Sequence, residues 1–136
     1  NGSSNGDLYL FVTMLDHSIF ERDGVEIFCS VPISIVDAAL GGSVEVPTVS
    51  GGRVKVKVPP GSQNGDQFRL NGKGMPALRS TSFGDMIITI IVEIPKNLSE
   101  NQKKLLKEFN EELDQKNSPE SSGFFSKVKD FWDGLA

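Results

Sequence analysis

The chain has one Cys and one His in 136 residues, and these scarcities exclude a good deal. A single Cys forms no intrachain disulfide framework and no Cys-based zinc site within one chain. A single His leaves little for hydrolytic or metal chemistry. No run approaches the roughly 18–20 apolar residues of a membrane span, and no stretch reads as a signal-peptide h-region. Basic charge is short as well: 14 Lys and Arg against 18 Asp and Glu give a net charge of −4, without the electrostatic footprint of a general nucleic-acid binder. The composition points away from an enzyme. The hydrophobic fraction of 38% is enough for one ordinary domain, or a smaller domain with an appendage.

What is present is mostly strand and turn. Residues 8–15 are nearly continuous in apolar β-formers. Val25, Ile27, Cys29 and Val31 alternate with polar or aromatic neighbours, which puts them on one face of a strand. Val44-Glu45-Val46 is a shorter alternating piece that Pro47 ends. Arg53-Val54-Lys55-Val56-Lys57-Val58 places valines on one face and cations on the other, and Pro59-Pro60-Gly61 stops it. Gln67–Leu70 is a short strand, and Asp85–Ile94 is a long Ile/Val/Thr-rich one expected at the centre of its sheet. The turns are supplied by Arg22-Asp23-Gly24, Ser50-Gly51-Gly52, Asn64-Gly65-Asp66 and Asn71-Gly72. One short internal helix is expected within Pro32–Gly41, with Ser34 as cap, Asp37 at its third position and Gly41 at its end.

The last third is helical. Ser99-x-x-Gln102 opens a helix to about Asp114 whose Leu105, Leu106, Phe109 and Leu113 form one stripe. Residues 115–122 read as a polar linker. Phe124, Phe125, Val128, Phe131, Trp132 and Leu135 form a second stripe on about a dozen residues. A helix that short is marginal alone in water, so its apolar face requires a surface to cover it.

Several constellations reduce to structure. Asp16-His17-Ser18 has triad residue types, but consecutive side chains do not converge on one reacting atom. Cys29 on an alternating strand reads as a small buried hydrophobe. Gly72-Lys73-Gly74 lacks P-loop spacing, and Pro76 prevents a following helix. The stripe of Arg53, Lys55 and Lys57 reads as a solvated face that discourages edge pairing, or as an attractor of an acidic segment. Rival readings are a hydrolase or transferase using an unrecognised carboxylate pair, and, for the tail helix, a membrane-surface element. Balanced Lys127, Lys129, Asp130 and Asp133 do not favour anionic lipid. An extended peptide needs an apolar groove beside a strand edge, for which Ile27, Cys29, Val31, Val44 and Val46 are the candidate lining; the alternative is that they fill the core.

Gly6-Asp7 before an apolar strand is echoed by Gly84-Asp85, 78 residues on. An ordered series surrounds this echo: Gly6-Asp7-Leu8-Tyr9, His17-x-x-Phe20-x-Arg22-x-Gly24, Pro32-Ile33, Asp37-Ala38-Ala39-Leu40-Gly41-Gly42, and Val46-Pro47-Thr48. Val58-Pro59-Pro60-Gly61-Ser62-Gln63, Phe68-Arg69-Leu70-x-Gly72-Lys73-Gly74-x-Pro76, Gly84-Asp85 and Leu98-Ser99-x-x-Gln102 complete it. The series resembles the C-terminal region of the DnaJ family, J-domain co-chaperones that deliver unfolded polypeptides to DnaK.

The resemblance implies a mainly β fold, a two-sheet sandwich-like domain with one short internal helix followed by amphipathic helices. Residues 1–15 would be the last strand of a first β-domain, 16–96 a second β-domain, and 97–136 a dimerisation segment. It implies no catalysis and no cofactor in this piece, the zinc of full-length relatives lying upstream. Neither the His-Pro-Asp motif that stimulates the DnaK ATPase nor the Cys-x-x-Cys-x-Gly-x-Gly repeats occur in these residues. The expected partners are a second copy, unfolded or nascent clients, and DnaK through the whole protein, in the cytoplasm and in heat-shock and stress response. Neither membrane nor direct nucleic-acid binding is expected. A dimerising spacer that binds no client is the alternative.

Overall fold

A computed structural model describes residues 20–48, 52–75 and 82–135. The strand expected over residues 8–15, His17 and the Gly6-Asp7 element lie outside the described residues.

The element order is β1 (Phe20–Asp23), β2 (Glu26–Ser34), α1 (Ile35–Leu40), β3 (Gly42–Pro47), β4 (Arg53–Val58), β5 (Gln67–Leu70), β6 (Met86–Glu93), α2 (Glu100–Glu112) and α3 (Pro119–Gly134). The chain divides into two compact units, residues 1–95 and 96–136. The β unit has two sheets, as expected of a mainly β fold. Four strands run in the order β1-β2-β6-β5, and β3 and β4 form a separate antiparallel pair.

Local chemistry accounts for most elements. The Asp23-Gly24 reversal, with Gly24 at φ 61°, joins β1 and β2 antiparallel, Asp23 opposite Glu26. β2 then pairs in parallel with β6, Ile27 opposite Met86 through Ser34 opposite Glu93. This places β6 inside its sheet, between β2 and β5, where its Ile/Val/Thr run is suited to burial. β2 runs on through Pro32; β1 pairs only as far as Cys29, so on that side no described strand requires an N–H from Pro32. Ser34 ends β2 and caps α1, its hydroxyl accepting from the Asp37 N–H at 3.0 Å. Gly41, at φ 85°, closes the helix.

The core lies between the sheets. Ile27, Cys29 and Phe20 meet Met86, Ile88 and Met75 from the larger sheet's side and Val46 and Val56 from β3 and β4. A second cluster joins Ile33, Ala38, Val58 and Ile90. Val31, Val44 and Phe68 pack against both clusters and stay partly exposed.

One crossing of the β unit demands glycine. The Gly74 N–H donates to the Gly84 carbonyl at 2.8 Å, Met75 to the Val25 carbonyl at 2.8 Å, and Gly84 back to Met75 at 2.7 Å. A Cβ on Gly74 or Gly84 would be driven into the Val25 carbonyl, so only glycine permits this approach.

Candidate functional site

The C-terminal unit begins with a complete capping box. The Ser99 hydroxyl accepts from the Gln102 N–H at 3.1 Å, and Gln102 Oε1 accepts from the Ser99 N–H at 2.8 Å. Two orphan donors of α2 are thereby satisfied. Pro119 occupies the first turn of α3, where its missing N–H costs nothing. That helix therefore begins inside the stretch read as polar linker, and its first turn takes in residues 119–122.

Neither helix has a buried residue. On α2, Leu105, Leu106 and Phe109 are exposed, as is Leu113 at its C-cap, and on α3 so are Phe124, Phe125, Phe131 and Trp132, with Leu135 at its C-cap also exposed and Val128 half-buried. Phe131 is 64% and Trp132 66% exposed. Phe124 and Phe125 meet edge to face with ring centroids 5.1 Å apart, already making one side of an aromatic surface. Fully burying each such side chain is worth about 1.5–3 kcal/mol, so two uncovered stripes on one unit mark a surface that gains from association.

The residues read as a client groove are placed differently. Ile27 (1% exposed), Cys29 and Val46 are core side chains between the sheets. Only Val31 and Val44 of that set reach solvent in part. Burial pushes the Cys29 thiol above its usual range, which suits an inert hydrophobe.

A polar clasp missed by sequence reading holds the turn after β5. Arg69, on β5, reaches Asp85 at 2.6 Å and Glu26 at 3.3 Å, while Asp85 Oδ1 accepts from the Gly72 N–H at 3.0 Å. The Gly72 N–H and then Arg69 hold the Asp85 carboxyl below the usual carboxylate range. Asp85 and Glu26 lie 16 and 43 positions from Arg69, so only the strand order β2-β6-β5 brings the three together. Among the described residues no cluster of three or more His, Cys, Asp or Glu is placed to hold a metal ion. No helix among them is long and apolar enough to cross a membrane.

A family model described as DnaJ C terminal domain matches residues 1–95, and one described as Chaperone protein DnaJ C-terminal region matches residues 101–134. The chain is similar to the chaperone protein DnaJ of Rhodobacter capsulatus, 59% identical over 98% of this chain and 35% of that protein. Its likeness to the chaperone protein DnaJ of Roseobacter denitrificans is 58% over the same shares. For that of Jannaschia sp. it is 55%, over 97% and 34%. The chain spans about a third of the length of these curated relatives.

Proposed function

The chain belongs to the DnaJ C-terminal domain family, and from that premise we propose that it is the self-associating, polypeptide-holding part of a molecular chaperone. The observation that carries this reading is the pair of helices with no buried residue and two stripes of bulky apolar side chains. A second copy supplies the cover. Residues 97–136 form the dimerisation segment, with Leu105, Leu106, Phe109, Leu113, Phe124, Phe125, Val128, Phe131, Trp132 and Leu135 as its contacts, and residues 16–96 form the β-domain it joins.

Joining two copies raises the effective concentration of any second binding site, so weak contacts with an unfolded chain gain avidity. Clients approach through apolar side chains still in reach of solvent, Val31 on β2 and Val44 on β3, by extended-strand addition. In the whole protein this part passes unfolded or nascent clients to DnaK in the cytoplasm; making or breaking bonds is no part of its role.

Light scattering on the chain and on a variant ending at Ser118 tests the assignment. The full chain is expected at twice its monomer mass and the shortened one at monomer mass; a shortened chain that keeps the dimer mass overturns the tail's role. The burial of Ile27, Cys29 and Val46 favours a second reading, a dimerising spacer whose β unit binds no client. Titration with an unfolded model polypeptide separates the two, because absence of binding at high micromolar concentration supports the spacer.

A further inference from the structure

The outer face of the β3–β4 pair has a feature that self-association leaves unused. Alternation sends Val54, Val56 and Val58 toward the core and Arg53, Lys55 and Lys57 outward. The register sets Pro47 opposite Arg53, Glu45 opposite Lys55 and Ser43 opposite Lys57. Among the described residues of β3 and β4, Glu45 is the one carboxylate, and it is engaged with Arg53 at 3.5 Å. Neither Lys55 nor Lys57 forms an ion pair among the described residues.

The face is hollow at that point. Gly42 and Ser43 contribute little side-chain bulk, and with Lys55 and Lys57 they line an open depression of about 400 Å³.

We propose that this hollow binds an extended acidic peptide segment, with carboxylates at alternate positions set on Lys55 and Lys57. The match is one of period. Lys55 and Lys57 are two residues apart on a strand, roughly 6.6–6.8 Å along it, which is also the spacing of same-face side chains in any extended peptide. One carboxylate seats in the depression above Gly42 and Ser43, within reach of a lysine ammonium and the Ser43 hydroxyl. Its neighbour lies over the second lysine. The contacts are charge-assisted and solvent-exposed, so binding is weak and falls with salt.

The experiment is an amide-resolved NMR titration of the full chain with a blocked peptide carrying glutamate at every second position, and with its glutamine counterpart. The glutamate peptide is expected to shift the amides of Gly42, Ser43, Lys55 and Lys57. Affinity is expected to fall at least about tenfold for the glutamine peptide and for the Lys55→Glu/Lys57→Glu double variant, and to weaken similarly between about 0.05 and 0.5 M salt. The amides of Ile27 and Ile88 report whether the variant keeps its fold; if it does not, the two peptides on the unaltered chain decide. Equal binding of both peptides, undiminished binding to the folded variant, shifts confined to α2 and α3, or no shifts at millimolar peptide each overturn the proposal.

Discussion

Replacing Trp132 by alanine probes the tail interface at its largest side chain. Trp132 is 66% exposed in the single chain. A Trp offers roughly 250 Å² at most, leaving about 160 Å² to be covered, a ceiling near 4 kcal/mol at ~25 cal/mol/Å². Cover at an interface is incomplete and alanine retains part of the contact, which brings the loss to about 2 kcal/mol per copy. In a two-fold dimer each residue counts twice, so Trp132→Ala costs about 4 kcal/mol of association, near a thousandfold in the dimer Kd. Sedimentation velocity over a wide concentration range reads this directly. The melting temperature of the β unit is the control, since Trp132 belongs to the other unit. A dimer Kd within about threefold of the unaltered chain refutes the reasoning, and so does an equal fall in the melting temperature.

Further perturbations test the rest of the structure. Ile27→Ala removes a side chain buried between the sheets and is expected to cost about 2–5 kcal/mol in denaturant unfolding; a loss below about 0.5 kcal/mol would return Ile27 to the groove lining. Gly84→Ala drives a Cβ into the Val25 carbonyl, with an expected loss of about 2–3 kcal/mol in thermal unfolding. The depressed Asp85 carboxyl stabilises the fold above its unfolded value near 3.9, and that contribution disappears as pH falls through the lower folded value. The gap in urea midpoint between the unaltered chain and Asp85→Asn should therefore be open at pH 7 and close below about pH 4. Ser99→Ala removes the hydroxyl that accepts from the Gln102 N–H while the backbone N–H at position 99 keeps its bond to Gln102 Oε1, and should cost about 1 kcal/mol, read as lost helicity in the C-terminal unit.

Where structure follows from neighbours in sequence, it was legible. β4 and β5 begin and end where alternation and turns place them, and Ser34 and Ser99 cap the helices expected of them. β1 was not, because Phe20-Glu21-Arg22-Asp23 holds one apolar residue and becomes a strand only by pairing with β2. Pro119 reads equally as a breaker or as a first-turn residue, and α3 uses it as the latter. The parallel β2–β6 register and the Arg69–Asp85–Glu26 clasp depend on residues far apart in the chain, beyond any local pattern. Alternation identified the face of Ile27, Cys29 and Val46 but not what covers it: a core and an open groove require the same period, and the second sheet decides. The exposed stripes of α2 and α3 were legible for the converse reason, since helical spacing alone shows more apolar surface than so short a unit has partners to bury.

The most direct measurement uses the single tryptophan of the chain, Trp132. If a second copy covers α3, its emission shifts to the blue and acrylamide quenching weakens as concentration rises through the dimer Kd. If Trp132 keeps red, freely quenched emission at concentrations where the mass is dimeric, association runs through another surface and the central claim is wrong.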